Sequence, residues 1–188
     1  MPPKLKVLLV ATLAVLALDQ ATKIWVASAL RLGIDEYKVI PGFLSFIQAQ
    51  NPGAAFGLMT DSPWRMWFFY GFTVVAVGIL AQSYRTLAPD DRVNAATVGL
   101  ILGGALGNLV DRVHKQTVTD FIKVYTTWDP LEAPLVRQFG TAEWPTFNIA
   151  DSAIVVGVAF YLLAGLVQKD QKAPADASGS TPDLEREG

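Results

Sequence analysis

Four separated apolar runs constrain this chain more than any other feature. They cover roughly residues 5–25, 64–84, 93–110 and 149–167. About 20 consecutive apolar residues cross the hydrocarbon core of a bilayer as a helix. None of the runs carries the wide polar face of a helix packed on a soluble core. Composition agrees. The 188 residues are 52% hydrophobic and only 17% charged, with mean hydropathy +0.34, against about 25% charged in soluble domains. Trp64, Trp67, Tyr84 and Trp144 fall near the ends of runs, where amphipathic rings favour the membrane interface. The expected fold is an all-α membrane protein of four transmembrane helices.

The first run also has the outline of a cleaved signal peptide. Lys4 and Lys6 precede it, and Ala27-Ser28-Ala29 resembles a cleavage site. Asp19 and Lys23 interrupt the stretch before that site, and three more runs follow, so a retained span is the better reading. An even number of spans places both termini on one side. Basic residues divide seven against eight between the two sides, so the positive-inside rule does not decide. Lys4 and Lys6, with no acidic neighbour, favour cytoplasmic termini.

Two loops, 26–63 and 111–148, then face outward. Residues 37–40 and 43–48 are β-prone and flank the turn signal Pro41-Gly42. In 117–125, Val118, Asp120, Ile122 and Val124 share a face if the stretch is a strand. A small extracytoplasmic sheet beside the helices is expected. Residues 168–188 are rich in Lys, Asp, Pro, Ala, Ser and Glu, too polar to bury an apolar face, and read as a disordered cytoplasmic tail. Residues 1–167 form the membrane domain.

The available chemistry is narrow. There is no cysteine and one histidine, His114, which excludes thiol nucleophiles and makes a zinc protease a poor reading. No metal or cofactor is expected. Net charge is −2 with no basic block, which argues against a nucleic-acid partner. Ionisable groups at span ends carry the information, because such groups are costly in a bilayer and need partners. Asp19 and Lys23 are four apart on one helix face and can pair. Asn51 and Gly53 open the block NPGAAFG, either a turn into the next helix or a binding loop. Gly103 and Gly107 have the spacing that lets helices approach closely. Asn108 and Arg112 share one face of the third helix, and Asp111 points elsewhere as an ion-pair partner. Asn148 and Asp151 share a face where the fourth run begins.

Span parity brings Asp120 and Asp151 to one membrane face. Two neighbouring carboxylates do not both ionise easily, so a pair can share one proton. The ionised member then activates water while the protonated one polarises a carbonyl. The plainer readings are a helix cap for Asp151 and a solvated loop acid for Asp120.

The ordered blocks DQATK at 19–23, NPGAAFG at 51–57, GGALGNLVDR at 103–112, VTDF at 118–121 and FNIADS at 147–152 together resemble the bacterial lipoprotein signal peptidases, signal peptidase II. The resemblance covers the chain to about residue 167. It implies an inner-membrane aspartyl endopeptidase that cuts prolipoproteins just before their diacylglyceryl-modified cysteine. It also implies four transmembrane helices, a small extracytoplasmic sheet and a short helix lying on the membrane. By motif position Asp120 and Asp151 would be catalytic. Asn51, Gly53, Asn108, Arg112 and Asn148 would bind or orient substrate, and Asp19, Lys23 and Asp111 would support the site. Lipidated prolipoproteins and membrane lipids would be the partners of a monomeric enzyme. Residues 126–146 look longer than the family usually has, and His114 has no role. Two rivals remain. A rhomboid-type serine protease needs a histidine within the bundle, and a proton relay or small transporter would place its acids in mid-span.

Overall fold

The computed structural model describes residues 1–53 and 62–172. Residues 54–57 of the NPGAAFG block and 173–188 of the expected tail lie outside them. The elements in order are α1 (Pro3–Ala29), β1 (Glu36–Ile40), β2 (Leu44–Asn51), α2 (Arg65–Thr86), α3 (Arg92–Lys115), β3 (Val118–Val124), α4 (Asp129–Phe139) and α5 (Ile149–Lys172). Among the described residues, α1, α2 and α3 are long and apolar enough to cross a membrane, and α5 has a shorter apolar stretch, Ile149–Ala164. The helices expose apolar side chains: Val10, Ile24, Phe72, Val74 and Val155 each leave well over half their surface open. The buried positions include Asp19, Lys23, Asn108, Asp111, Asp120 and Asn148. Apolar outside and polar inside is the pattern of a multi-pass membrane protein, in which lipid solvates the rim.

The helices run further than the apolar runs, most clearly α1, α3 and α5. α1 continues to Ala29 and α3 to Lys115, so Asp111 and Arg112 are helical residues and not the start of a loop. α5 continues past Val167 to Lys172. Hydropathy marks where lipid contact ends, whereas a helix stops at a cap or breaker. Gln and Lys are good helix formers, and no proline follows until Pro174.

α3 is the central helix, packed on α1 and α5, and its glycines set the distance. A Cβ at Gly103 would lie 2.8 Å from the Thr12 carbonyl oxygen of α1, and one at Gly104 would strike the Ala150 carbonyl oxygen of α5. A Cβ at Gly107 would meet Asp19 Oδ2 at 2.6 Å. The close-packing role expected of Gly103 and Gly107 is therefore met, and it brings α1 and α5 to the end of α3 that bears Asn108 and Asp111. α3 starts on an Asp91 cap, whose carboxylate accepts from the Asn94 N–H at 3.0 Å, and ends at Gln116 in the left-handed region, φ 59°. That αL residue turns the chain directly into β3.

The three strands form an antiparallel sheet in the order β1-β2-β3. Gly42, at φ +79°, makes the expected turn between β1 and β2. β2 pairs with β3 so that Ala49 faces Asp120 and Asn51 faces Val118. The long connection 126–146 contains α4, which buries none of its side chains and ends at Gly140, φ 77°. Trp128, Leu131, Val136 and Phe139 on and beside it are exposed.

Candidate active site

The site forms where the α1, α3 and α5 ends meet β2 and β3. α5 begins as a capping box. The Asp151 N–H donates to Asn148 Oδ1 at 2.9 Å, and the Asn148 N–H donates to Asp151 Oδ2 at 3.2 Å. Asp151 is thus the third residue of the helix, with Asn148 as its cap, rather than the cap itself. The preceding residue, Phe147, joins β3: its carbonyl accepts from the Phe121 and Ile122 N–H groups at 3.0 and 2.8 Å. Asp120 immediately precedes Phe121. This short bridge brings the two aspartates together although 30 residues separate them in the chain.

Three amides then bind the two carboxylates. Asn148 Nδ2 donates to Asp120 Oδ1 at 2.7 Å and to Asn108 Oδ1 at 3.1 Å. Asn108 Nδ2 donates to Asp151 Oδ1 at 2.7 Å. Asn51 Nδ2, from the end of β2, donates to Asp120 Oδ2 at 3.0 Å. The buried Gly53 N–H donates to Asn51 Oδ1 at 3.1 Å, which orients that amide. Asp120 is only 2% exposed. Burial pushes its carboxyl up to about 6 from 3.8, the charge of Asp151 adds to the rise, and the amide hydrogen bonds oppose it.

Behind the amides lies a buried ion cluster. Lys23, 1% exposed, pairs with Asp19 at 2.9 Å and Asp111 at 3.4 Å, and donates to Asn108 Oδ1 at 3.1 Å. Taking such an ammonium out of water costs several kcal/mol, offset here by two carboxylates and an amide oxygen. Asp111 also accepts from Lys115 at 3.2 Å and from the Thr119 N–H at 2.9 Å, tying α3 to β3 beside Asp120. Asp19 accepts from the Ala150 N–H at 3.0 Å, tying α1 to the first turn of α5.

Arg112 lies over the Phe69 ring, 4.2 Å from its centroid, with Nη1 3.5 Å from the Asn108 carbonyl oxygen. Among the described residues no carboxylate is within ion-pair distance of it. Its half-buried guanidinium keeps donors for a carbonyl or anionic group. His114 is exposed, and its Nδ1 faces the Val110 carbonyl one turn back.

All ten residues singled out in the sequence fall in this one region. Sequence reasoning missed the parts that join them: the reciprocal Asn148–Asp151 cap, Asn108 as the bridge from Lys23 to Asp151, and Lys115 and Thr119 as partners of Asp111. An Asn-x-x-Asp at a helix start was a legible signal for the first. The others follow from inter-helix packing.

The family model described as signal peptidase (SPase) II matches residues 11–167. A lipoprotein signal peptidase from Geobacter sulfurreducens is 39% identical over 93% of this chain and 100% of its own length. Another from Syntrophotalea carbinolica is 43% identical over 84% of this chain and 88% of its own. A solved structure described as a bacterial membrane enzyme, obtained by the in meso method, superposes with a TM-score of 0.71 at 28% identity, covering 96% of this chain and 94% of that one.

Proposed function

The chain belongs to the signal peptidase II family of aspartic proteases, and from that premise we propose that Asp120 and Asp151 share one proton and hydrolyse the peptide bond before a diacylglyceryl-modified cysteine. The observation that carries this reading is the bonding of a buried aspartate, Asp120, and a half-buried one, Asp151, to one amide-rich frame. In it the Asn148 side chain touches Asp120 and caps Asp151. The ionised carboxylate takes a proton from water as the water attacks the scissile carbonyl carbon. The protonated carboxyl gives its proton to the carbonyl oxygen, the proton taken from water passes to the leaving amine as the C–N bond breaks, and a hydroxyl of the tetrahedral intermediate returns a proton to the pair. Arg112 and Asn51 flank the pair and orient the substrate backbone, Gly53 orients Asn51, and Asn108 and Asn148 hold the carboxylates.

The same reading makes residues 1–167 one peptidase domain. α5 is its fourth span, the termini are cytoplasmic, and the site lies at the outer face of the inner membrane. All the side chains named come from one chain, so a monomer suffices. A diacyl chain buries many CH₂ groups at about 0.8 kcal/mol each, which holds the scissile bond at membrane level near the dyad. The test is to incubate purified protein with a prolipoprotein in lipidated and unlipidated forms. Rapid cleavage of the first and very slow cleavage of the second is expected. Equal rates would remove the lipid-directed part, and no cleavage of either would favour a proton relay.

A further inference from the structure

α2 touches the bundle towards its two ends and stands off α3 between them. Beside the dyad, Arg112 lies over the Phe69 ring, and its carbonyl oxygen accepts from the Tyr70 hydroxyl at 3.4 Å. About three turns further along α2, Leu80 joins a buried cluster with Leu8, Ala95 and Val98. Between these contacts, Tyr70, Thr73, Val74 and Val77 of α2 and Leu109 and Val113 of α3 line a groove of about 390 Å³. Small-residue contacts are what bring membrane helices close. The α3 glycines meet α1 and α5, whereas Gly71 and Gly78 on α2 have nothing within 4 Å, so no bare backbone draws α2 onto α3.

The lining is apolar although two of its residues carry hydroxyls. Thr73 Oγ1 donates back to the Phe69 carbonyl oxygen at 2.8 Å, and the Tyr70 hydroxyl is taken up by the Arg112 carbonyl. The groove opens sideways, where Val74 and Val113 are exposed. One end reaches the site, because Leu109 and Val113 directly follow Asn108 and Arg112 in the chain. From Tyr70 to Val77, α2 rises about 10 Å. A helix with its side chains is about 10–12 Å across, so that length of one would fill roughly twice the groove. An alkyl chain is slender enough to enter.

We propose that this groove holds one acyl chain of the diacylglyceryl group on the substrate's cysteine, so that α2 and α3 set the position of the scissile bond against the dyad. The inference rests on the peptidase reading above. Such a substrate joins a peptide and an acyl chain at one residue. The protein offers polar donors for the first and an apolar groove for the second, and the two meet at the α3 turn of Asn108 and Arg112. Lipid tails are as apolar as the groove wall, so the groove gains little by taking a chain out of the bilayer. What it supplies is fit and direction. A chain seated along α2 leaves its ester end at Arg112, whose guanidinium keeps donors for an ester carbonyl. A chain tethered to the bound peptide also has a high effective concentration at the groove, which a free bilayer lipid lacks.

The test uses the full chain in detergent or lipid, with a synthetic prolipoprotein peptide whose cysteine carries a dibutanoylglyceryl or a dioctanoylglyceryl group. A butanoyl chain entering at Arg112 stops short of Val77, and an octanoyl chain reaches it. Val77→Trp fills that far end. It should lower kcat/KM for the dioctanoyl substrate about tenfold or more, as displacing the reacting groups does, and leave the dibutanoyl substrate within about twofold of wild type. Equal loss with both substrates in the folded variant, as docking of the signal helix in the groove would give, overturns the proposal. So does an unchanged dioctanoyl rate, the result if bilayer lipid fills the groove. A second readout needs no groove variant and stands even if Val77→Trp does not fold. In Asp120→Asn, which binds substrate without cutting it, a diazirine at the end of one octanoyl chain should label α2 near Val77 or α3 near Leu109. Labelling confined to α1 or α5, or spread over all the helices, overturns the proposal. If Asp120→Asn still cleaves, it is the dyad reading that fails instead.

Discussion

Asn148 and Asp151 hold each other at the first turn of α5, with the Asp151 N–H 2.9 Å from Asn148 Oδ1 and the Asn148 N–H 3.2 Å from Asp151 Oδ2. A capping box ordinarily satisfies two free helix N–H groups. Here the cap side chain also reaches Asp120 at 2.7 Å. The start of α5 and the geometry of the carboxylate pair are thus one structure, and disturbing either disturbs both.

The aspartates can be separated from their structural neighbours by substitution. Asp120→Asn and Asp151→Asn should each reduce cleavage of lipidated substrate to near background, because an amide cannot act as the base. The double variant should be little worse than either single one, since the residues act as a unit. Asp111→Asn should retain more activity but lose stability, because Asp111 faces Lys23, Lys115 and the Thr119 N–H. Chelators should leave the rate unchanged. Rate assays on purified variants, with melting curves beside them, decide this.

Activity and stability should both respond to the raised Asp120 carboxyl. If one shared proton is needed, kcat/KM should decline on an alkaline limb that begins at or above about pH 6. A carboxyl that moves from 3.8 unfolded to about 6 folded binds its proton more tightly in the native state. Its stabilising contribution is complete below pH 3.8 and is lost as pH rises through about 6. Thermal unfolding should show the wild type losing stability relative to Asp120→Asn over that interval.

The glycine contacts make an unequal pair of substitutions. Gly104→Ala places a methyl against the Ala150 carbonyl oxygen and 2.7 Å from Ile154 Cγ1. Overpacking of this kind costs about 1–3 kcal/mol. It should also push α5 off α3, moving Asp151 from Asn108 and lowering kcat at least about tenfold, since a displacement of ~1 Å costs ~10²-fold. Gly78→Ala on α2 meets nothing within 4 Å and should be neutral or slightly stabilising. Comparing melting temperature and kcat for the two variants tests the packing account.

Orientation is open to a reporter assay. A reporter active only outside the inner membrane, fused after Lys172, should be silent, whereas one inserted near Gly33, in the turn after α1, should be active. The opposite pattern would put the site on the cytoplasmic side.

Much of this protein was legible in the sequence. Apolar runs of bilayer length, the Pro41-Gly42 turn and the small-residue spacing of Gly103 and Gly107 are local signals. Each predicts its element because helix, turn and close packing depend on neighbours in the chain. The blocks that carry Asp120 and Asp151 were legible as well, and the fold brings both residues to one frame of amides. Helix ends were less legible. Asp111 and Arg112 lie on α3 and not in a loop, because a helix continues until a cap such as Gln116 stops it, whatever the hydropathy.

Tertiary structure decided which polar atoms meet. Lys23 could have paired with Asp19 alone, as their spacing suggested. Only the approach of α1 to α3, permitted by bare glycine backbone, carries its ammonium to Asn108 and Asp111. Likewise, only the Phe147 bridge to β3 sets Asn148 between the two aspartates. Hydrogen bonds act over about 3 Å, a distance that sequence spacing does not specify once partners lie on different helices.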